Sequence, residues 1–112
     1  MISYHLGMDL RLATIEQKNE SSKRLTLREL EYLSLVALGF KNPVIAQILF
    51  VSFSTVKKTL ESIFRKIKAK DRANAVAICF SHEILTVKSI NEVFYKYEFR
   101  IREILEKGND FK

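Results

Sequence analysis

The segment 53–67 divides its side chains into an apolar row and a polar row at helical spacing. Apolar residues recur three and four positions apart, which places them on one side of an α-helix. The apolar positions are Val56, Leu60, Ile63, Phe64 and Ile67. The opposite side carries Ser54, Lys57, Lys58, Glu61 and Arg65. A helix with one apolar side must pack on other elements, so this pattern predicts a core-facing helix with an exposed polar side.

Start and stop signals indicate two shorter helices before this segment. Thr26 and Glu29 have the spacing of a capping box, in which each side chain satisfies a backbone N–H of the other residue. Gly39 supplies a left-handed stop. Asn42 can cap a second helix, with Pro43 in the first position, where no N–H is needed.

The long helix and a fourth helix begin in the same way. Ser52 is the expected N-cap of the segment 53–67, and Asp71 caps a helix that runs to about His82. The chain has only three glycines and one proline, which disfavours a sheet with many turns. These observations predict an all-α fold.

The fourth helix is apolar almost all round between residues 75 and 80, so both of its sides should be covered. Three small helices can cover one side only. The sequence therefore requires a second partner for this helix, either residues 86–112 of the same chain, here called the tail, or another subunit.

The tail has a second capping box, Ser89 with Glu92, and an apolar row spaced three and four apart. The row is too short for an autonomous coiled coil, so the tail should pack on something already folded. We expect it to serve in dimerisation or docking. The candidate dimerisation residues are Ala75, Cys79, Ile90, Phe94, Tyr97, Ile101 and Ile104.

Positive charge is concentrated in one part of the chain. Of the formal net charge of +6, residues 57–72 contribute +5, from seven basic and two acidic side chains, and the rest of the chain contributes +1. The basic residues there are Lys57, Lys58, Arg65, Lys66, Lys68, Lys70 and Arg72. Charge gathered in one segment is typical of a surface that binds a polyanion.

Several classes of protein are disfavoured. No stretch approaches the roughly 20 apolar residues that span a bilayer, and the first residues do not resemble a secretion signal. The single cysteine, Cys79, excludes an internal disulfide, and no Cys/His cluster has metal-ligand spacing. Because no nucleophile–base pair and no phosphate-binding glycine loop is present either, we expect a cytoplasmic protein that is not an enzyme and needs no metal or cofactor.

Three short helices, with a tight turn between the second and third and a basic third helix, are the parts of a helix-turn-helix. A major groove about 12 Å wide admits one α-helix, whose exposed side chains then meet the base edges. The stretches LTLRELE, ALGFKN, IA, VSFSTVK, IFRKI and RANAV occur between residues 25 and 76. In these stretches the chain resembles the LuxR-type (LuxR/FixJ/GerE) DNA-binding domain, without gaps over roughly residues 25–80.

The resemblance implies a four-helix domain that binds double-stranded DNA as a dimer, often through the fourth helix, and regulates transcription. The positions that match base-reading ones are Lys57, Lys58 and Glu61. The positions assigned to phosphate contacts are Ser54, Thr55, Thr59, Arg65, Lys66 and Lys68. A carboxylate such as Glu61 can accept from cytosine N4, although it could instead pair with Lys57 or Arg65 on the same helix.

Two departures from the family pattern affect these assignments. Thr59 stands where a histidine is common, which leaves one phosphate contact in doubt. Lys68 replaces a glycine whose left-handed conformation costs other residues about 1 kcal/mol, so a remodelled turn is one possible outcome.

We expect residues 1–24 to be an N-terminal arm or short helix with a linker, residues 25–85 to be the DNA-binding domain, and residues 86–112 to be an added amphipathic helix. Because 24 residues cannot hold a phosphoacceptor or autoinducer-binding domain, the chain should be a stand-alone member. The expected partners are double-stranded DNA, at a roughly palindromic site, and a second copy of the chain. RNA polymerase is a further candidate partner, and no membrane or small-molecule ligand is implied. The alternative function is a helical protein-interaction module that uses the apolar row of the tail.

Overall fold

The structure, a computed structural model, describes residues 25–108. These residues form six α-helices and no β-strand, so the predicted all-α fold is confirmed. The helices are α1 (Leu27–Ala37), α2 (Asn42–Leu49), α3 (Phe53–Ile67), α4 (Arg72–Ser81), α5 (Val87–Lys96) and α6 (Glu98–Glu106). The arm or short helix predicted for residues 1–24 lies outside the described residues, as do residues 109–112.

Side-chain caps begin three of these helices at the predicted residues. Thr26 Oγ1 accepts from the N–H of Glu29 at 3.0 Å, and the Glu29 carboxylate accepts from the N–H of Thr26 at 2.9 Å. Ser52 caps α3 through the N–H of Thr55, and Asp71 caps α4 in the same way. These starts were predictable because the donor and the acceptor lie within three residues of each other.

The prediction that Asn42 caps α2 is wrong. Lys41 occupies the N-cap position without a side-chain hydrogen bond, and Asn42 is the first helical residue. The side-chain oxygen of Asn42 accepts instead from Arg72 Nη1 at 2.9 Å, while Arg72 Nη2 donates to the carbonyl of Phe40. Arg72 therefore ties the start of α4 to the start of α2, and burial lowers the pKa of its guanidinium.

The turn after α3 keeps its left-handed residue although no glycine is present. Lys68 is the C-cap of α3 with φ 61° and ψ 40°, so the turn is not remodelled. The side chain of Lys68 is exposed, and its backbone N–H donates to the carbonyl of Arg65 at 3.1 Å. Lys68 therefore adopts the left-handed conformation despite its conformational cost of about 1 kcal/mol for a residue other than glycine.

The core is centred on the apolar side of α3, which packs against α1, α2 and α4. Four members of the predicted row are buried, and Phe64 is partly buried against the same cluster. The buried members are Val56, Leu60, Ile63 and Ile67. Residues 32–36 of α1 are all buried as well. The polar side of α3 is thereby held outward by packing on its opposite side.

The tail forms two helices rather than one. α5 ends at Lys96 and α6 begins at Glu98, with Tyr97 between them at φ −108° and ψ 15°. The capping box of α5 is Thr86 with Ser89, one turn earlier than the predicted pair of Ser89 with Glu92. α5 packs against α1 and α6 packs against α2, so the tail joins the core of its own chain.

Packing of the tail corrects the predicted dimerisation residues. Ala75, Cys79, Ile90, Ile101 and Ile104 are each at most 8% exposed within a single chain, so no side-chain surface is left for a second subunit. The other two predicted residues, Phe94 and Tyr97, are partly buried against the same core. The apolar row of the tail is therefore used inside the chain.

Within residues 25–108, the outward side of α4 has no such cover. Ala73, Ala77 and Phe80 are exposed and Val76 is half-buried, at the spacing of one helical stripe. The fourth helix was expected to be covered on both sides. The structure assigns Ala75 and Cys79 to the covered side, and the four-residue α4 stripe to the open side.

Candidate nucleic-acid interface

The exposed side of α3 carries the residues predicted to read bases. Lys57, Lys58 and Glu61 are all exposed, opposite the buried row of the same helix. None of the ion pairs between described residues involves these three side chains. Glu61 is therefore not paired with Lys57 or Arg65, the arrangement that had been the alternative to base reading. The side chains at this surface are free to meet an external ligand.

The first turn of α3 presents a cluster of hydroxyl groups. Ser52 Oγ donates to Thr55 Oγ1 at 2.9 Å and lies 3.1 Å from Ser54 Oγ. Ser54 and Thr55 are both exposed. Hydroxyls and free backbone N–H groups at a helix N-terminus suit a phosphate oxygen, because the helix dipole favours negative charge there.

The remaining predicted phosphate residues divide into two groups. Arg65 and Lys68 are exposed near the carboxyl end of α3, and Thr59 is half-buried. Lys66 points elsewhere, because its ammonium group pairs with the Glu29 carboxylate at 2.7 Å. Lys66 thus connects α3 to the start of α1, and its contact with phosphate stays a prediction.

The ion pair between Lys66 and Glu29 also changes the protonation of the carboxylate. Burial alone would raise the pKa of Glu29, but hydrogen bonds from Lys66 and Thr26 outweigh burial, and the pKa is lowered. Glu29 therefore stays ionised at neutral pH and serves two elements at once, as the cap of α1 and as the partner of α3. The signal for this pairing was absent from local sequence patterns because the two residues lie 37 positions apart.

The structure also shows what sequence reasoning missed in the basic segment. Arg72 was counted as part of the basic segment, but its guanidinium is bonded to Asn42 and to the carbonyl of Phe40. The α4 stripe was missed too, although the spacing 73, 76, 77 and 80 is visible in the sequence. A helix that is apolar all round gives no internal sign of which side faces inward.

Other chemistry is not supported in the described part of the chain. Cys79 is buried, and burial raises the pKa of its thiol to about 11, so a thiolate is not available. Within residues 25–108, no cluster of three or more His, Cys, Asp or Glu side chains could hold a metal ion. None of the six helices combines the length and the apolar character needed to cross a membrane.

Comparison with known proteins agrees with this geometry. Residues 23–79 match the family model described as bacterial regulatory proteins, luxR family. The response regulator protein VraR of Staphylococcus saprophyticus is 35% identical over 71 residues, which is 63% of this chain and 34% of that protein. The proteins of the same name from Staphylococcus aureus and Staphylococcus epidermidis are 34% identical over 77 residues, or 63% of this chain and 37% of each. The chain thus spans about a third of the length of these relatives, and no solved structure matches it.

Proposed function

Because the chain belongs to the luxR family of bacterial regulatory proteins, we propose that it regulates transcription by binding double-stranded DNA with α3 in the major groove. The observation that carries this proposal is the division of α3 into a buried row and an exposed row. Val56, Leu60, Ile63 and Ile67 are buried and fix the helix, while Lys57, Lys58 and Glu61 are exposed and form no ion pair with another described residue. A protein that regulates transcription acts where the DNA is, so we also propose that it works in the cytoplasm.

In the proposed complex, different side chains supply affinity and sequence preference. Lysines can donate to guanine O6 and N7, and a carboxylate can accept from cytosine N4, so Lys57, Lys58 and Glu61 would read the bases. Ser54, Thr55 and Arg65 would contact phosphates on either side and set the register of the helix. Thr59, Lys66 and Lys68 stay in the proposed phosphate set, although Lys66 also pairs with Glu29.

The experiment that tests this function is selection of bound duplexes from random DNA, followed by a salt titration. We expect one enriched sequence and an affinity that falls steeply between low and moderate salt, because several phosphates are neutralised. A pool without any enriched sequence, together with binding that ignores salt, would contradict the proposal. That result would favour the interaction module, whose surface would have to lie outside the buried row of the tail.

We also propose that two copies bind together through the α4 stripe. Ala73, Val76, Ala77 and Phe80 form an apolar face on the outward side of α4, with Val76 partly buried against the core, and a two-fold arrangement would bring two such faces together. Two α3 helices would then occupy successive major grooves, so the selected site should be roughly palindromic with half-sites one helical turn apart. RNA polymerase remains a proposed partner without an assigned surface.

A charge in the α4 stripe tests this arrangement. Phe80→Glu should leave one protomer on a selected palindromic duplex where the wild-type chain places two, because a carboxylate cannot be buried unpaired at the two-fold contact. Sedimentation of the protein–DNA complex measures the stoichiometry. Phe99→Glu is the matched control, because Phe99 is 77% exposed on α6 and should leave two protomers bound. Two protomers of Phe80→Glu on the duplex would assign the contact to another surface.

A further inference from the structure

The carboxyl end of α2 is held by two arginines from other helices. The last carbonyls of any helix lack partners inside the helix and need donors from elsewhere. Here Arg100 of α6 donates from Nε to the carbonyl of Gln47 at 3.1 Å, and Arg28 of α1 donates from Nη2 to the carbonyl of Leu49 at 3.2 Å. The first helix of the helix-turn-helix is therefore capped by side chains outside it.

Arg100 also contacts the turn that follows α2. Its guanidinium carbon lies 4.2 Å from the centre of the Phe50 ring, a cation–π contact. Phe50 is the C-cap of α2 and has the left-handed conformation, at φ 58° and ψ 45°, which is unfavourable for a bulky residue. One side chain of the tail thus touches both the last turn of α2 and the strained residue where the chain changes direction.

Buried side chains fix the place of Arg100. Its neighbour Ile101 is 1% exposed, and Ile104, about one turn later, is 4% exposed. These two buried side chains anchor α6, which packs against α2. This anchoring presents the guanidinium of Arg100 to the end of α2. The contact therefore depends on the tail being docked on its own chain.

A polar cluster secures the junction between α5 and α6. The hydroxyl of Tyr97 donates to Glu31 at 2.7 Å and accepts from Arg28 Nη1 at 3.1 Å, and Lys96 pairs with the same carboxylate. Burial alone would raise the pKa of Glu31, but hydrogen bonds from Lys96, Tyr97 and Arg28 outweigh it and lower the pKa. The carboxylate is therefore ionised at neutral pH, and Arg28 links this cluster directly to the carbonyl of Leu49.

We propose that the tail positions the recognition helix through the turn at residues 50–52, with Arg100 as the positioning residue. Three residues connect α2 to α3, so the backbone angles at Phe50 help to set the direction in which α3 leaves the turn, while the buried row holds the helix in the core. Base reading needs side chains held within roughly 0.5 Å and 10–20° of their productive geometry. Phosphate contacts tolerate a larger tilt because they depend mainly on charge. Loss of Arg100 therefore reduces sequence preference more than overall attraction to DNA.

This inference rests on the proposed function, and Arg100→Ala tests it beside Arg102→Ala as a matched control. Both variants remove one positive charge from α6 and one ion pair within that helix, Arg100 with Glu103 and Arg102 with Glu98. Arg102 is exposed, whereas Arg100 also contacts the end of α2. Arg100→Ala should weaken binding to the selected site by up to about 10-fold, because loss of one hydrogen bond and one cation–π contact lowers the population of the binding-competent turn. Binding to random-sequence duplex at the same salt should change equally and slightly in both variants. Arg100→Lys, which keeps the charge but loses the planar guanidinium, should fall between wild type and Arg100→Ala.

Hydrogen exchange supplies a second measurement that does not depend on DNA. The amides of Phe50 and Val51 both donate to the carbonyl of Ala46. These two amides should exchange several-fold faster in Arg100→Ala than in Arg102→Ala, while amides in the middle of α3 keep their protection.

The two measurements separate failure of the proposal from failure of the function. A wild-type chain that selects no DNA site overturns the proposed function. Unchanged exchange of the Phe50 and Val51 amides in Arg100→Ala overturns the positioning role, whatever the DNA result. Equal losses at the selected site in Arg100→Ala and Arg102→Ala also overturn it, because they would reflect charge alone.

Discussion

Replacing Ile101 with alanine is expected to lower the free energy of unfolding by about 2–4 kcal/mol. Ile101 is 1% exposed in a single chain and lies where α6 packs on α2. Removal of its branched side chain loses buried apolar area and leaves a cavity that the surrounding helices can fill only in part. The tail is thus expected to contribute to the stability of each protomer.

Chemical denaturation at two protein concentrations that differ about ten-fold checks this expectation. If the apolar row of the tail is used inside the chain, the loss caused by Ile101→Ala is the same at both concentrations. If the row instead joined two subunits, the free energy of unfolding would rise with protein concentration. Ile101→Ala would then weaken this dependence on concentration. Leu105→Ala is the control, because Leu105 is 43% exposed on the same helix and its truncation should cost within about 0.5 kcal/mol.

Replacing Lys57 with alanine is expected to weaken binding to the selected DNA site about 5- to 100-fold, the range that corresponds to one good base contact. Binding to random-sequence duplex should fall much less, because Lys57 then adds only one charge to a general attraction. Lys57 is exposed on α3, has no ion-pair partner among the described residues, and follows the buried Val56 directly. Its removal should leave the fold intact.

Competition binding with the selected site and with random-sequence duplex, at one fixed salt concentration, measures both affinities. Lys88→Ala is the matched control, because Lys88 is an exposed lysine in the first turn of α5, outside the helix-turn-helix. It should change the two affinities equally and by little. If Lys57→Ala lowers both affinities by the same factor, then Lys57 contacts phosphate and the reading of bases must be assigned to Lys58 and Glu61.

Local chemistry explains what could be predicted from the sequence. Thr26, Ser52 and Asp71 begin their helices as expected because each cap bonds to a backbone group three residues away. The two sides of α3 were likewise predictable, since a strict apolar spacing leaves one orientation that buries the row. The left-handed conformation at Lys68 was not predicted, because the missing glycine left a remodelled turn open, and the structure keeps the turn with a lysine.

Long-range contacts explain the errors. Asn42 has the side chain of a good cap, but its oxygen is bound by Arg72 from 30 residues away. The apolar row of the tail predicts which side of the tail is buried, but it does not predict what covers that side. Packing on α1 and α2 of the same chain could therefore not be distinguished from packing on a second subunit. The positioning contact of Arg100 was beyond prediction for the same reason, because it exists only once the tail has docked.

Completion of the core by the tail has a consequence for how the protein would respond to its own abundance. The tail completes the core from within its own chain, and the α4 stripe offers little apolar area because two of its four side chains are alanines. If two copies meet through this stripe, as proposed, so small a contact would not hold them together at low concentration, whereas adjacent half-sites on DNA would raise their local concentration. Occupancy of the full site would then rise with the square of the protomer concentration. A small change in synthesis would therefore switch the site more sharply than a permanent dimer could.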